Sequence, residues 1–564
     1  ETPKSVQRLV ASVSAATFAV TSTYWSQAII AEVYALHTVL IALIVWFTLR
    51  WQTQIWARYA LAVTIGLGMA HHVTTILLIP AVVVYLLSQV DRPIKIATQS
   101  LIQYGALAAA PLLLYLYIPL IAPFTPYAHL TLSETQTLTL YDNSIFGFVS
   151  HITATAFAGE LQPAAVGIER LKLVWQLLLQ QVRWPGLILA AMGIITLWCR
   201  QRGLFGLTGL MFLAVIGFNL IYFIGDVFVL FIPAWLVVCI WIGVGILSLT
   251  HHLADRFVRQ KIGAEDSVIF QRMRRQLWRN AYQIIALSLP LFFFALPIFL
   301  MVTNFAVVDQ NKNTQAQTRW QEILAEPLPE SAILLSNDRN EIMPMWYYQY
   351  VENRRPDLLG LFPLITPDPA YAHISGVLDQ ALSSGRPVYF IKPMDGLSLK
   401  ANVIPEGTLY RATSLPEAPT YKQQQRLTDP SSAETISLMG YDLSATTVKP
   451  GETIEVTLYW YVDHPLAVNY TSYVHLISAD GTGITQSDHQ PGGDFYPSSE
   501  WQVGETLRDR HQLTLPSDIP AGEYRLRVGM YYQPGPGVIQ PLGDGLEPGT
   551  LVVETAESQE GLLQ

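Results

Sequence analysis

The run FVLFIPAWLVVCIWIGVGILSL at residues 228–249 decides the architecture. Its 22 positions hold no charged residue, and as an α-helix it extends for about 33 Å, enough to cross a hydrocarbon core of roughly 30 Å. Similar runs near 9–24, 35–50, 100–121, 185–199, 204–222 and 282–303 predict further spans. The stretch from Tyr59 to Val90 is too long for one helix and is bracketed by Arg58, Arg92 and Lys95. Two short helices turning near His71 and His72 return both ends to one side, which brings the expectation to about nine spans.

Charge divides the chain in the same place. Of 564 residues, 51% are hydrophobic and only 14% charged, where a soluble domain carries about a quarter. Residues 1–303 hold 18 basic and 11 acidic side chains, residues 304–564 hold 16 and 32, and the whole chain carries −9. An apolar, locally basic half precedes a polar, acidic one that would repel phosphate backbones, so nucleic acid is excluded as a partner. Cys199 and Cys239 both fall in apolar runs, which leaves neither a disulfide framework nor a cysteine-based zinc site.

Positive charge orients the spans. Lys4, Arg8, Arg50, Arg58, Arg92, Lys95, Arg200, Arg202 and seven more between Arg256 and Arg279 sort to the cytoplasmic side, and only Arg170, Lys172 and Arg183 to the other. The N-terminus is therefore expected inside and everything after about residue 304 outside. The first run lacks a small-residue cleavage site, so no signal peptide is read. The chain enters it within about eight residues and without an initiator Met, from which missing upstream sequence is expected.

The expected fold class is a multi-pass α-helical membrane domain (1–303), a small α/β domain outside the membrane (304–420) and a C-terminal β-sandwich (425–555). In the outer loop 122–184, Leu171, Val174, Trp175, Leu178, Leu179 and Val182 recur at helical spacing, which suits a helix in the membrane interface. Thr318–Ala325 reads as a helix, Ala332–Leu335 and Pro387–Ile391 as strands, and 415–432 as a Pro-, Gln- and Ser-rich linker. Beyond it Ile454, Val456, Leu458 and Trp460 alternate with polar residues, as do Tyr524, Leu526, Val528 and Met530. Trp460 and Trp501 could stack on sugars, but the alternation favours the core.

Polar groups collect where spans meet the outer surface. Glu32 stands among apolar residues at the outer turn between the first two spans, suited to acid–base work or, alternatively, to capping a helix. His71 and His72 could hold a phosphate or shuttle protons; without a metal-ligand spacing, packing between helices is the alternative role. Asp226 opens a span from the outside, as a site residue or a helix cap. Arg170, Lys172 and Arg183 suit the phosphate of a lipid-linked substrate, or simple snorkelling. A divalent metal ion is chemically admissible, but no ligand set is readable. No P-loop, dinucleotide fingerprint or nucleophile elbow appears, which counts against an ATP-driven pump or a hydrolase.

The segment YWSQAIIAEVYAL at 24–36, followed by GLGMAHH at 66–72, resembles a bacterial family of multi-pass proteins grouped with the GT-C glycosyltransferases and similar to protein O-mannosyltransferases. Gly225-Asp226 with Phe228 and Pro233, and Gly385-Arg386-Pro387-Val388-Tyr389-Phe390, share the likeness, which covers roughly 5–415. The terminal β-region looks like a domain appended to such enzymes in environmental bacteria. The resemblance implies a multi-pass protein of the bacterial inner membrane. It implies transfer of a sugar from a polyprenyl-phosphate donor to a protein or glycan hydroxyl on the outer face. It places Glu32, His71 and His72 in the chemistry and Trp25, Gln27, Tyr34 and Asp226 beside the substrate, with the family's catalytic Asp expected upstream of Glu1. The competing reading is a non-catalytic anchor displaying a β-sandwich that binds glycan or protein; a transporter would need charges deep in the spans, which hold almost none.

Overall fold

The computed structural model describes residues 3–88, 98–259, 285–364, 368–414, 419–429, 434–535 and 537–555. Arg92, Lys95 and most of the basic cluster between Arg256 and Arg279 lie outside the described residues. The chain forms two compact units, Glu1–Thr125 with Tyr141–Lys312, and Pro126–Leu140 with Asn313–Gln564.

The first unit is helical. It opens with α1 (Lys4–Ala19), α2 (Ser22–Ala28), α3 (Tyr34–Arg50), α4 (Ile55–His71) and, after a 3-10 turn at Val73–Leu78, α5 (Ile79–Ser88). Among the described residues, five helices are long and apolar enough to cross a membrane: Gln99–Phe124, Ile168–Arg200, Arg202–Ile221, Val227–Ala254 and Ile285–Val308. The other expected spans fall on α1, α3, α4 and Val73–Ser88, none of which exceeds 17 residues. α4 stops because His72 turns extended, and the turn after it is 3-10.

Ile168–Arg200 holds both the expected interfacial stretch and the span that follows it. The two meet at a kink where Arg183 has φ 54° and Pro185 has no N–H to donate. Its second half packs against Ile232–Arg259 backbone to backbone: a Cβ on Gly193 would collide with the Trp241 carbonyl, and one on Gly245 with that of Leu189. Small residues at such a crossing let helices approach where lipid supplies no hydrophobic drive. Trp241 Nε1 donates to Thr208 Oγ1 at 3.0 Å and ties in Arg202–Ile221.

The second unit begins with a hairpin, β1 (His129–Thr131) and β2 (Thr137–Thr139), which lies in the segment read as outer loop. Its Leu130, Leu132 and Leu138 join the core of a sheet formed some two hundred residues later. That sheet has the order β4 (Leu359–Leu361), β3 (Ile333–Leu335), β5 (Val388–Phe390), β7 (Leu409–Thr413), β6 (Asn402–Glu406). β3, β4 and β5 run parallel through the helices Arg339–Tyr350 and Ile374–Ser383. Both faces are buried, which explains why these strands read as unbroken apolar triplets: Ile333, Leu335, Val388 and Phe390 enter one cluster, Leu334 and Tyr389 another. Arg386 Nη1 donates to the Thr131 carbonyl at 3.1 Å and fastens the hairpin. Arg355 grips Asp357 at 2.8 Å, and that hydrogen bond holds the Asp357 carboxyl down at about 2.

Two further sheets share the larger core. One runs β14 (Thr506–Thr514), β11 (Thr453–Val462), β9 (Thr435–Leu443), β8 (Tyr421–Thr428). The other runs β10 (Thr447–Val448), β17 (Leu546–Val553), β15 (Gly522–Gly535), β12 (Thr471–Ile477), β13 (Gly483–His489), with β16 (Val538–Pro541) on β15. Ile454, Val456, Leu458 and Trp460 are all buried, as are Tyr524, Leu526, Val528 and Met530, which the period-2 reading expects, while Thr457, Tyr459 and Gly529 between them are buried as well. Trp460 and Trp501 are buried in that core rather than offered to a ligand. Within the segment read as a linker, Tyr421–Thr428 is an edge strand paired to β9; its exposed polar positions hid it.

Candidate functional site

The antiparallel pairing of α3 and α4 sets the start of one helix against the end of the other. Tyr34 and His37, one turn apart on α3, thereby meet His71 and His72 at the end of α4. His37 is buried and its ring stacks on that of His72, with centroids 4.6 Å apart and planes 16° from parallel. Tyr34 stands 5.9 Å from the His72 ring, and His71 6.3 Å from His37.

Hydrogen bonds fix which nitrogens carry protons. His71 Nε2 lies 2.9 Å from the Val33 carbonyl, which can only accept, so His71 donates there and keeps Nδ1 as its lone pair when neutral. His72 Nδ1 accepts from the Thr74 N–H at 3.4 Å, which puts the ring's own proton on Nε2, and the Thr74 hydroxyl 2.7 Å away donates to the same Nδ1. His37 Nε2 meets Thr75 Oγ1 at 3.2 Å. Thr74 and Thr75 come from the 3-10 turn after α4, so the same break that ends α4 supplies the groups orienting two imidazoles.

Two carboxylates adjoin the cluster. Glu32 is exposed in the bend between α2 and α3, and Asp226 is exposed at the start of the 3-10 turn Val227–Phe231, where its side chain makes no cap bond. Both lie close enough to Tyr34 to act on it electrostatically, and Tyr222 does too. Tyr34, His37 and Thr74 line a hollow of about 10 Å³ with Val229, Leu230, Ile232 and Pro233, the size of one water. The structure thus brings Tyr34, His37, His71 and His72 together from two helices, with Glu32 and Asp226 near enough to act on Tyr34. The set can accept a proton at a carboxylate and return one from an imidazole.

The other expected residues stand apart from this group. Arg170 donates through Nη2 to the carbonyls of Asn219 and Tyr222 and covers the Phe223 ring at 4.4 Å, so it caps the C-terminal end of Arg202–Ile221. Lys172 pairs with Glu169 at 2.6 Å on an exposed face. Arg183 occupies the kink about 20 Å further along the same helix. On α2, Trp25 stands 6.2 Å from the Phe305 ring and Gln27 is buried.

Sequence reasoning passed over His37 and Gln181. His37 sits in an apolar run and reads as core, although the Tyr34–His37 spacing places it on the face of the marked tyrosine. Gln181 is buried and its Oε1 accepts the Thr23 N–H at 3.0 Å and the Ser22 hydroxyl at 3.3 Å, so it caps α2 from the amphipathic stretch of Ile168–Arg200. Elsewhere, in the second unit, a hollow of about 380 Å³ is lined by His129, Thr131, Trp346, Gln349, Tyr350 and Asn353.

Among the described residues, the three imidazoles of α3 and α4 do not converge as tightly as metal ligands must; one cluster in the second unit does. Residues 1–94, which carry Glu32, Tyr34 and all three histidines, match the family model described as the protein O-mannosyl-transferase TMEM260 N-terminal domain. No curated protein matches the chain. A solved structure, the C-terminal domain of Wzt, aligns at 13% identity over 24% of this chain and 83% of its own, with a TM-score of 0.19.

Proposed function

We propose that this chain is a GT-C-type membrane glycosyltransferase that moves a sugar, in the first instance mannose, from a polyprenyl-phosphate donor to an acceptor hydroxyl. The reading is supported by the match of residues 1–94 to an O-mannosyl-transferase domain and by the grouping of Tyr34, His37, His71 and His72 within that segment, with Glu32 and Asp226 near enough to act on Tyr34. Glu32 takes the proton of the acceptor hydroxyl as its oxygen attacks the anomeric carbon. The bond to the lipid phosphate breaks, and the His72 Nε2 proton meets the charge growing on the departing oxygen. Asp226 and Tyr34 orient the acceptor, and Trp25 and Gln27 on α2 border the lipid-linked donor; Arg170, Lys172 and Arg183, committed to a helix cap, an ion pair with Glu169 and a kink, take no part at the reacting centre.

The placement is the inner membrane of a bacterium, with the C-terminal half, an α/β part and a β-sandwich, outside the cytoplasm. The sidedness follows the distribution of positive charge, and the span count supports one part of it, that the hairpin and the C-terminal half share a side. Among the described residues, four candidate spans separate the β1–β2 hairpin from the rest of the unit it belongs to. An even number of crossings returns the chain to the side it left.

Membranes carrying the full chain and supplied with polyprenyl-phosphate mannose and cell-envelope acceptors test the reading. Transfer is expected, reduced 100-fold or more by Glu32→Gln. Absence of transfer from any polyprenyl-phosphate hexose would remove the function, and full activity of both Glu32→Gln and Asp226→Asn would remove the site.

A further inference from the structure

β14 alternates as a strand in a core should, with Leu507, Asp509, His511 and Leu513 facing inward. Two of these four are not apolar. Asp509 and His511 are 1% and 0% exposed, in the space between the edge strand of one sheet and the edge strand of the other. From β13, His489 reaches the same point while remaining 39% exposed.

The contacts are short and converge. Asp509 Oδ1 lies 2.8 Å from His489 Nε2, and Oδ2 lies 3.0 Å from His511 Nε2. On its other side His511 Nδ1 is 3.1 Å from the Ser487 carbonyl, an acceptor, so the neutral ring carries its proton there. His511 Nε2 then presents a lone pair to a carboxylate oxygen. Two acceptors facing each other in a closed core are reconciled by a cation between them, a second proton on the ring or a metal ion. Ser472 Oγ, 3.1 Å from the same nitrogen, shares it with Asp509, an arrangement unlike a nucleophile relay, where the carboxylate and hydroxyl occupy opposite nitrogens.

We propose that His489, Asp509 and His511 bind a divalent transition metal ion of the Zn²⁺ type, with a fourth position open on the His489 side. Two imidazoles and one carboxylate are a ligand set that zinc accepts, while Mg²⁺ prefers oxygen alone. Tetrahedral bonds of 2.0–2.1 Å set ligand atoms about 3.3 Å apart, and one ligand atom from each of the three residues lies within 4.8 Å of the others, so side-chain adjustment alone brings them to an ion. The surroundings are those of a ligating shell: the Ser487 carbonyl fixes the His511 tautomer, and Trp460 Nε1 donates to Asp509 Oδ2 at 3.4 Å. Part exposure of His489 supplies the entry path. The ion would clamp β13 to β14, joining the two sheets where each has an unpaired edge.

The test uses the full chain in detergent, stripped with a chelator and titrated with ZnCl₂ alone under equilibrium dialysis. One tightly held equivalent per chain is expected, with a rise in the unfolding temperature of the second unit, and Mg²⁺ at a hundredfold excess leaves it in place. His489→Ala, at the most accessible ligand, weakens that equivalent at least tenfold without unfolding the core, and His511→Gln does the same. His71→Ala with His72→Ala leaves it untouched, which separates this ion from adventitious binding at the other histidine cluster. Absence of a saturable equivalent would overturn the proposal, as would an equivalent that survives His489→Ala combined with His511→Gln.

Discussion

Two histidine clusters lie in this protein, one in each unit, and they are wired differently. At His37, His71 and His72 the ring nitrogens face hydroxyls and a backbone carbonyl, with the carboxylates of Glu32 and Asp226 outside the stack. At His489 and His511 a single buried carboxylate, Asp509, is wedged between the two rings. Hydroxyl and carbonyl partners orient neutral imidazoles, whereas a carboxylate between two imidazoles calls for positive charge, on the rings or as the proposed ion. Residue type alone does not separate the two chemistries; the partner on each nitrogen does.

The largest expected effect breaks the contrast from the C-terminal side. His511→Leu leaves Asp509 buried with one partner fewer and should destabilise the second unit by about 3–5 kcal/mol in denaturant unfolding of the full chain. His72→Leu is the counterpart: with only a threonine bonded to its ring, it should cost under about 1 kcal/mol of stability yet lower sugar transfer about 100-fold, equivalent to about 2.7 kcal/mol. Equal stability losses in the two variants would erase the distinction. Gly193→Val sharpens it by disturbing only the helical unit: the new side chain meets the Trp241 carbonyl, with an expected cost of about 1–3 kcal/mol and no change in zinc binding. The smallest effect is a pH response away from both clusters. The Asp357 carboxyl is held at about 2, below its unfolded value of about 3.9, so its contribution is present above pH 4 and lost as the pH falls through 2. Because Asp357 is partly exposed the contribution is below about 1 kcal/mol, and Asp357→Asn should flatten the unfolding temperature between pH 4 and pH 2.

Much of the fold was legible because it is written locally. A charge-free run of helical length declares a span without reference to any other segment, and strict alternation declares Thr453–Val462 and Gly522–Gly535 as half-buried strands. What escaped depends on distant partners. The hairpin at His129–Thr139 is three polar-looking residues on each side and gains its meaning only from Ile333, Val377 and Phe390. Tyr421–Thr428 is polar because it forms an edge, and an edge strand with exposed positions looks like a linker. Of the site, His71 and His72 announced themselves as a pair in an apolar run. His37 did not, since one histidine in a hydrophobic helix is indistinguishable from core until its neighbour across the helix pair is known. Asp509 and His511 fell on the inward phase of β14, a signal present in the alternation and overlooked because the third member lies twenty residues earlier.

The hairpin also imposes an order in time. Its strands leave the ribosome about two hundred residues ahead of the sheet they complete, and at 5–20 residues per second that is a wait of roughly 10–40 s. During that interval four membrane helices are made while Leu130, Leu132 and Leu138 have no core to enter. Biogenesis of the second unit therefore depends on an early segment staying unaggregated and accessible until the late one arrives, so a chain cut between the two cannot finish either half in the normal way.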